Sequence, residues 1–246
     1  MTERERQRTI QAKLCRLAAP APGVVPSGFP ALDAALGGGF PRRGVVELFG
    51  PPSSGKTTLA LQAVAHLQGE GLGAAWIDAD GTFDAAWASA LGVDIARLAV
   101  ARPAWAEQAL EIARRLILTG AVDLAVIDSA AALVPKLELE TPLGDSSAGL
   151  QTRIVASGLR RLAGALARTE AAALFLNQTR SRPDADGGEE TSAGGPPLKL
   201  YAAARIVLDP ARRAGVRFRV LKNRPAAAFA GGELAWSGGA GFAKPA

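Results

Sequence analysis

Residues 50–58 have the composition and the spacing of a loop that holds phosphate groups. They read G-P-P-S-S-G-K-T-T, so two glycines are separated by four residues and followed by a lysine and a threonine. In such a loop Lys56 would reach the β- and γ-phosphates of a nucleoside triphosphate, and the Thr57 hydroxyl would take a place on Mg²⁺. The alternative is a glycine- and serine-rich turn that has this spacing by chance.

The segments on either side of this loop predict the elements that would position it. Residues 45–49, V-V-E-L-F, are a β-branched and aromatic run typical of a buried strand. Residues 59–67 are rich in alanine and leucine, which indicates a helix. A strand, a loop and a helix N-terminus direct main-chain N–H groups and a partial positive charge at a phosphate. This context favours triphosphate binding over a chance match.

Polar residues end three further apolar runs, which predict strands over residues 74–78, 124–128 and 173–177. Because ligands collect at the carboxyl ends of parallel strands, we expect these polar side chains to lie near the phosphate loop. They are Asp78, Asp80, Asp128, Ser129, Asn177 and Gln178.

Three of these side chains could take part in the chemistry of a triphosphate. Asp128 closes an apolar strand, which is costly unless a cation such as Mg²⁺ compensates for its lost hydration. The alternative is an aspartate that caps the next helix. Asp80 could orient or deprotonate an attacking water, and Gln178 could sense the γ-phosphate. Ordinary polar loop residues are the alternative for both.

The order of the predicted elements indicates an α/β fold. Helical patterns over residues 85–91, 106–118 and 150–167 alternate with the apolar runs. Strands that are apolar on both faces and separated by helices predict a mostly parallel central sheet with helices on both faces. Residues 206–208 and 217–221 then predict an antiparallel hairpin that extends this sheet.

Composition bounds the class of protein. The 246 residues suffice for one large domain, and the net charge of +5 permits a polyanionic partner, although an arginine-rich solvated surface has the same charge. The single cysteine excludes an internal disulfide. No apolar run approaches the ~20 residues that cross a bilayer, and the charged start lacks the apolar core of a signal peptide. We expect a cytoplasmic protein without a membrane partner.

Three regions follow from composition shifts along the chain. Residues 1–24 predict an N-terminal helix and a proline-rich linker, and residues 25–236 predict the core domain. Residues 237–246, which contain three glycines, predict a flexible C-terminal tail.

The motifs along residues 25–232 occur in an order that resembles the ATPase core of bacterial RecA recombinases. This resemblance implies a RecA-like phosphate-loop NTPase fold and a DNA-dependent ATPase that uses ATP and Mg²⁺. It also implies ATP held between the subunits of a homo-oligomeric filament or ring. The matching segments are residues 50–61, 77–80, 91–95, 107–113, 120–123, 127–133, 144–146, 177–178, 194–195 and 221–223.

The resemblance implies a role for each residue of the nucleotide site. Asp128 would be the acid on the Mg²⁺ side, Gln178 the γ-phosphate sensor, and Asp80 stands where the family has a catalytic glutamate, one methylene longer. Asp84 and Trp87 would contact adenine, and Lys222 and Arg224 would reach into the ATP site of the neighbouring subunit. The residues that would hold the phosphates and Mg²⁺ are Gly50, Ser53, Ser54, Gly55, Lys56, Thr57 and Thr58.

Two loops of the family bind single-stranded DNA, and the resemblance places them at residues 140–149 and 179–195. Arg153 and Arg160 would follow the first loop, and Arg180 and Arg182 would lie in the second. The sequence departs from the family pattern here. Ala148 stands where a methionine-sized wedge is expected, and the second loop has four acids and no large apolar residue. Arginine side chains still pair with phosphates.

Two functions stay open at this point. One is an ATP-dependent recombinase of DNA repair and the SOS response that binds single-stranded DNA. The alternative is a nucleotide-binding accessory protein of the DNA damage response, similar to the ImuA family of translesion synthesis, with a protein partner and without strand exchange. A metabolic kinase lacks support because no lid or second substrate pocket is apparent.

Overall fold

The computed structural model describes residues 23–142, 149–181, 190–193, 195–211, 215–237 and 241–243. The predicted N-terminal helix, Arg182 and most of the two predicted DNA loops lie outside the described residues. Among the described residues, no helix is long and apolar enough to cross a bilayer.

A large sheet forms the centre of the fold. The strands of the described chain are β1 (Val24–Val25), β2 (Phe40–Pro41), β3 (Val45–Gly50), β4 (Ala74–Asp78), β5 (Leu98–Ala101), β6 (Leu124–Asp128), β7 (Ala172–Ser181), β8 (Glu190–Ser192), β9 (Ala202–Pro210), β10 (Gly215–Asn223) and β11 (Gly231–Ala235). Eight of them follow the order β11-β10-β9-β3-β7-β6-β4-β5, and β8 pairs with the end of β7. The pairs from β9 to β5 are parallel, whereas β10 is antiparallel to both β9 and β11.

Helices cover both faces of this sheet. They are α1 (Pro30–Leu36), α2 (Lys56–Gly69), α3 (Ala85–Ala90), α4 (Ala106–Leu118), α5 (Lys136–Glu140), α6 (Leu150–Leu166) and α7 (Pro196–Tyr201). Successive strand residues point to opposite faces, so Trp76 belongs to the core under α1, α2 and α3, and Ile77 to the core under α4 and α6. Both side chains are 0% exposed.

The predicted fold class is confirmed: the sheet is mostly parallel, helices lie on both faces, and an antiparallel hairpin extends one end. Five strands of the described chain were not predicted, and two of them, β1 and β2, have two residues each and pair with each other. β5 is a short edge strand with two exposed residues, and β11 begins with two glycines, which weaken a strand pattern. β8 is a polar three-residue strand that exists through its pairing with β7.

The segment after β11 differs from the predicted flexible tail at residues 241–243. Phe242 is 1% exposed, and its ring lies 5.0 Å from that of Trp236 and 6.2 Å from that of Phe29. The main chain returns to β11 through a hydrogen bond from Ala243 N to Ala235 O (2.9 Å). Burial of an aromatic ring outweighs the glycine content that suggested a tail.

Candidate nucleotide site

The phosphate loop connects the end of β3 at Gly50 to the start of α2 at Lys56. Gly55 has φ 81° and Ser53 has φ 60°, so the chain turns through the left-handed region before the helix begins. At Gly50 a Cβ atom would overlap the carbonyl oxygen of Leu208, so a glycine is required there by close packing. The glycine spacing of the motif therefore has two different physical causes.

The ammonium group of Lys56 is hydrogen-bonded back to the phosphate loop. Its Nζ donates to the carbonyl oxygens of Gly50 (3.1 Å) and Pro51 (2.7 Å) and to the Ser54 hydroxyl (3.2 Å). Burial lowers the pKa of Lys56, and the nearby carboxylate of Asp128 opposes that shift. Because all three partners are neutral, these bonds leave the positive charge of Lys56 available to attract an anionic ligand.

Thr57 and Asp128 meet at the carboxyl end of β6. The Thr57 hydroxyl donates to Asp128 Oδ2 at 3.0 Å, and Asp128 is 6% exposed. The pKa of Asp128 is raised to about 6, mainly by burial and also by the charges of Asp80 and Asp78. The hydrogen bond from Thr57 and the charge of Lys56 act in the opposite direction. The peptide bond between Asp128 and Ser129 is cis.

Asp78 and Asp80 organise the turn that follows β4. Asp78 is 2% exposed and accepts hydrogen bonds from Thr82 N (2.9 Å) and Arg102 Nε (3.0 Å). Asp80 is exposed and accepts from the Thr82 hydroxyl (2.6 Å) and from Thr82 N (3.2 Å). The Asp80 carboxylate is thus bonded back to its own turn, and the buried Asp78 anchors that turn.

Gln178 lies directly beside the phosphate loop. It is the register partner of Gly50 in the ladder between β3 and β7. Its main-chain oxygen accepts a hydrogen bond from Ala193 N (2.9 Å), and its side chain is exposed. The next register pairs of β7 are with β8. The main chain of Arg180 belongs to this ribbon, opposite Thr191.

Asp84 and Trp87 lie together on the helix that follows the Asp80 turn. The Asp84 carboxylate caps α3 by accepting hydrogen bonds from Ala86 N (2.8 Å) and Trp87 N (3.0 Å). Trp87 is half-buried and packs against the core on the α2 side of the sheet. The cap fixes the start of a helix of only six residues and therefore the position of the indole.

Lys222 and Arg224 lie at the end of β10, two strands away from β3 of the same chain. Lys222 is the register partner of Arg205, and Arg205 is the partner of Glu47 near the start of β3. Lys222 Nζ donates to Lys199 O (2.8 Å), and Arg224 Nη2 donates to Leu200 O (3.0 Å). These cations do not meet Lys56 within one subunit.

Arg153 and Arg160 are both exposed on α6. They are seven residues apart, about two helical turns, so they lie on the same side of the helix. Their helix begins at Leu150, immediately after the first predicted DNA loop.

A protein-family model covers most of this chain. The model of the family described as RecA N-terminal domain matches residues 11–236. The chain belongs to the RecA family.

Curated RecA proteins share nearly half of their aligned residues with this chain. Identity to "Protein RecA" of Lactobacillus delbrueckii subsp. bulgaricus is 48% over 203 residues, covering 82% of this chain and 61% of that relative. For Oceanobacillus iheyensis it is 44% over 236 residues, covering 92% and 68%. For Bacillus subtilis it is 44% over 232 residues, covering 90% and 67%. This RecA-family chain therefore spans 61–68% of the length of these relatives.

The donor set of the RecA-family site fits a magnesium–phosphate complex. In the described part of the chain no group of three or more His, Cys, Asp or Glu side chains could hold a metal ion by itself. Mg²⁺ is commonly bound by one or two protein oxygens together with phosphate oxygens and water. A buried Asp128 carboxylate beside the Thr57 hydroxyl provides those protein oxygens.

One buried polar cluster of this RecA-family fold was not predicted from the sequence. Glu47 and Asn177 are both 0% exposed, and Asn177 Nδ2 donates to Glu47 Oε1 (2.9 Å) and to Ala193 O (2.9 Å). Arg205 Nε donates to Glu47 Oε2 (2.6 Å). The cluster ties β3, which leads into the phosphate loop, to β7, β9 and the end of β8. A glutamate within an apolar run was the available signal.

Proposed function

We propose that this chain is a DNA-dependent ATPase of recombinational DNA repair, which binds MgATP at the phosphate loop and holds it between subunits. The observation that carries this proposal is a 3.0 Å hydrogen bond to the buried Asp128. Its donor is the hydroxyl of Thr57, the residue that follows Lys56. A loop, an ammonium group and a buried acid at one strand end are the parts that phosphoryl transfer requires.

Nucleotide binding would begin with an exchange of partners at Lys56. Its ammonium group leaves the carbonyl oxygens of Gly50 and Pro51 for charged phosphate oxygens, which are stronger acceptors. The main-chain N–H groups at the start of α2 add the partial positive charge of a helix N-terminus. When bound, Mg²⁺ supplies neutralisation of the phosphate charge, with Thr57 and Asp128 as its protein ligands.

The hydrolytic step would depend on Asp80. It follows β4 two residues after Asp78, which is the register partner of Asp128, so it lies at the same end of the sheet. Thr82 donates two hydrogen bonds to Asp80 Oδ1 and so holds this carboxylate toward its own turn. The shorter side chain and these competing bonds support slow hydrolysis.

Single-stranded DNA would bind on the side of the molecule where β7 leaves the sheet. Gln178 is adjacent both to the phosphate loop and to the ribbon of β7 and β8. We propose that it links the γ-phosphate to the second DNA loop, in which Arg180 and Arg182 would contact phosphates. Arg153 and Arg160 would do so after the first loop.

ATP between subunits would explain the placement of Lys222 and Arg224. Because Lys222 lies two strands from β3 and level with Glu47 rather than with the loop, a second copy would be the one to present these cations to it. A contact between two different surfaces of identical subunits repeats, and it produces a ring or a filament.

A titration of single-stranded DNA tests this function. DNA affinity, measured by fluorescence anisotropy at several salt concentrations, should increase with a non-hydrolysable ATP analogue and fall linearly on logarithmic axes with salt. The Lys56→Ala variant should lose nucleotide binding, and with it the stimulation by the analogue. Arg168→Ala, which changes an exposed arginine at the far end of α6, is the matched control for charge.

The two arms separate the possible outcomes. Nucleotide binding without DNA binding at any salt would leave the accessory role in the DNA damage response, with a repair or translesion-synthesis protein as the partner. Unchanged nucleotide affinity in Lys56→Ala would reject the assignment of the site itself.

A further inference from the structure

Phe242 and its neighbours pack directly against the phosphate loop, although they lie almost two hundred residues further along the chain. We name residues 241–243 the C-terminal turn. Its central residue, Phe242, is 1% exposed and belongs to the same core cluster as Leu59 of α2. This turn lies outside the phosphate-binding motif.

The C-terminal turn is bonded to α2 by a reciprocal pair of hydrogen bonds. Gln62 Nε2 donates to Phe242 O (2.9 Å), and Phe242 N donates to Gln62 Oε1 (2.8 Å). Gln62 is 2% exposed and lies seven residues after Gly55, about two turns along the helix. A buried amide that satisfies both main-chain groups of one residue holds the turn in a single position.

The ring of Phe242 fills the space beside Gly55. A Cβ atom at position 55 would lie 2.5 Å from Phe242 Cζ, so the ring contacts the loop main chain itself. Gly55 has φ 81° and is the residue that turns the loop into α2. On the far side the ring is held edge-on by Phe29 and Trp236.

We propose that Phe242 is a positioning residue that holds the phosphate loop in its binding conformation from behind Gly55. This inference rests on the proposed nucleotide site. A loop whose N–H groups must converge on phosphate loses conformational freedom when the nucleotide binds. A fixed ring beside the turn already restricts the loop in the free protein, so the entropic cost of binding is smaller. Nucleotide affinity therefore depends on a side chain that does not touch the nucleotide.

The test compares Phe242→Leu with Phe40→Leu in the full chain. Phe40 is also 0% exposed and in the same core cluster, but it lies on β2, before the start of β3. We expect Phe242→Leu to bind a fluorescent non-hydrolysable ATP analogue with Mg²⁺ about tenfold more weakly than wild type, and Phe40→Leu within about twofold. The thermal midpoints of both variants are measured alongside.

Inorganic tripolyphosphate, used as a competitor, separates loop positioning from contact with the base. Because the loop binds only phosphates, the affinity for tripolyphosphate should fall by the same factor as that for the ATP analogue. An unchanged affinity for tripolyphosphate in Phe242→Leu would overturn the proposal.

Gln62→Leu decides the matter if Phe242→Leu does not fold, since it keeps the ring and removes both hydrogen bonds. Reduced nucleotide affinity in either variant, beyond that of Phe40→Leu, supports the proposal. Equal losses in all three, or none, overturn it. If wild type itself binds no nucleotide, the proposed function fails as well. If wild type binds and Lys56→Ala does not, only the role of Phe242 is at stake.

Discussion

At the scale of single residues, Asp80 is the proposed base for ATP hydrolysis. Its carboxylate is one methylene shorter than the glutamate that the RecA resemblance places there, and Thr82 holds it with two hydrogen bonds. We expect Asp80→Glu to raise the steady-state rate of DNA-stimulated ATP hydrolysis about tenfold, since general-base catalysis depends on hydrogen-bond reach. Phosphate release, measured at saturating ATP, checks this.

Asp80→Asn is the matched control because it keeps the size of the side chain and removes the base. Its hydrolysis rate should fall below that of wild type while its affinity for the ATP analogue stays unchanged. Equal rates in wild type, Asp80→Glu and Asp80→Asn would place the base elsewhere.

The residues of the phosphate loop are predictable from sequence because their chemistry depends on local spacing. Thr57 and Asp128 are 71 residues apart, yet their meeting is also predictable, since both lie at the carboxyl ends of apolar strands of one parallel sheet. The partners of Glu47 are not predictable in this way. Asn177 and Arg205 reach it through strand register, which no local pattern specifies.

At the scale of elements, the ion pair between Glu47 and Arg205 joins β3 to β9. Glu47 is fully buried, so Arg205→Ala would leave an uncompensated charge inside the sheet. We expect a loss of about 3–5 kcal/mol in the free energy of unfolding, measured by urea denaturation. A loss below about 1 kcal/mol would show that this carboxylate is compensated by other groups.

Arg219→Ala is the control for that experiment. Arg219 pairs with Asp209 between β10 and β9, but its side chain is 52% exposed. An exposed pair contributes about 0–1 kcal/mol, so this variant should unfold close to wild type.

The helices and central strands are predictable because each has one dominant signal. The predicted helix over residues 106–118 coincides with α4, whose apolar positions recur at helical spacing. β5 and β11 have no such signal: each depends on a neighbouring strand for its hydrogen bonds, and two glycines open β11. The burial of Phe242 likewise depends on tertiary packing, and no local pattern in the sequence distinguishes it from a residue of a flexible tail.

At the scale of the whole molecule, Lys222 lies two strands away from the strand that leads into the phosphate loop, level with Glu47 rather than with Gly50. If a second copy supplies Lys222, then Lys222→Ala and Lys56→Ala should each lose ATP hydrolysis, but an equal mixture of the two should regain part of it. Random assembly gives about a quarter of the sites both intact groups. Hydrolysis by the mixture, compared with each variant alone, measures this.

A double variant, Lys56→Ala with Lys222→Ala, mixed with an equal amount of either single variant is the control. It forms no site with both groups intact, so its mixtures should remain inactive. Recovery in the control, or none in the test mixture, would argue against an ATP site shared between subunits.

The pairing of β7 has a mechanical consequence. Its first residues are bonded into the sheet, between β3 and β6, while its last three register pairs in the described chain are with β8 alone. It therefore resembles a cantilever whose fixed end finishes at Gln178, beside Gly50. A small rotation of β7 at Gln178 would displace each residue of the projecting end in proportion to its distance from Gln178.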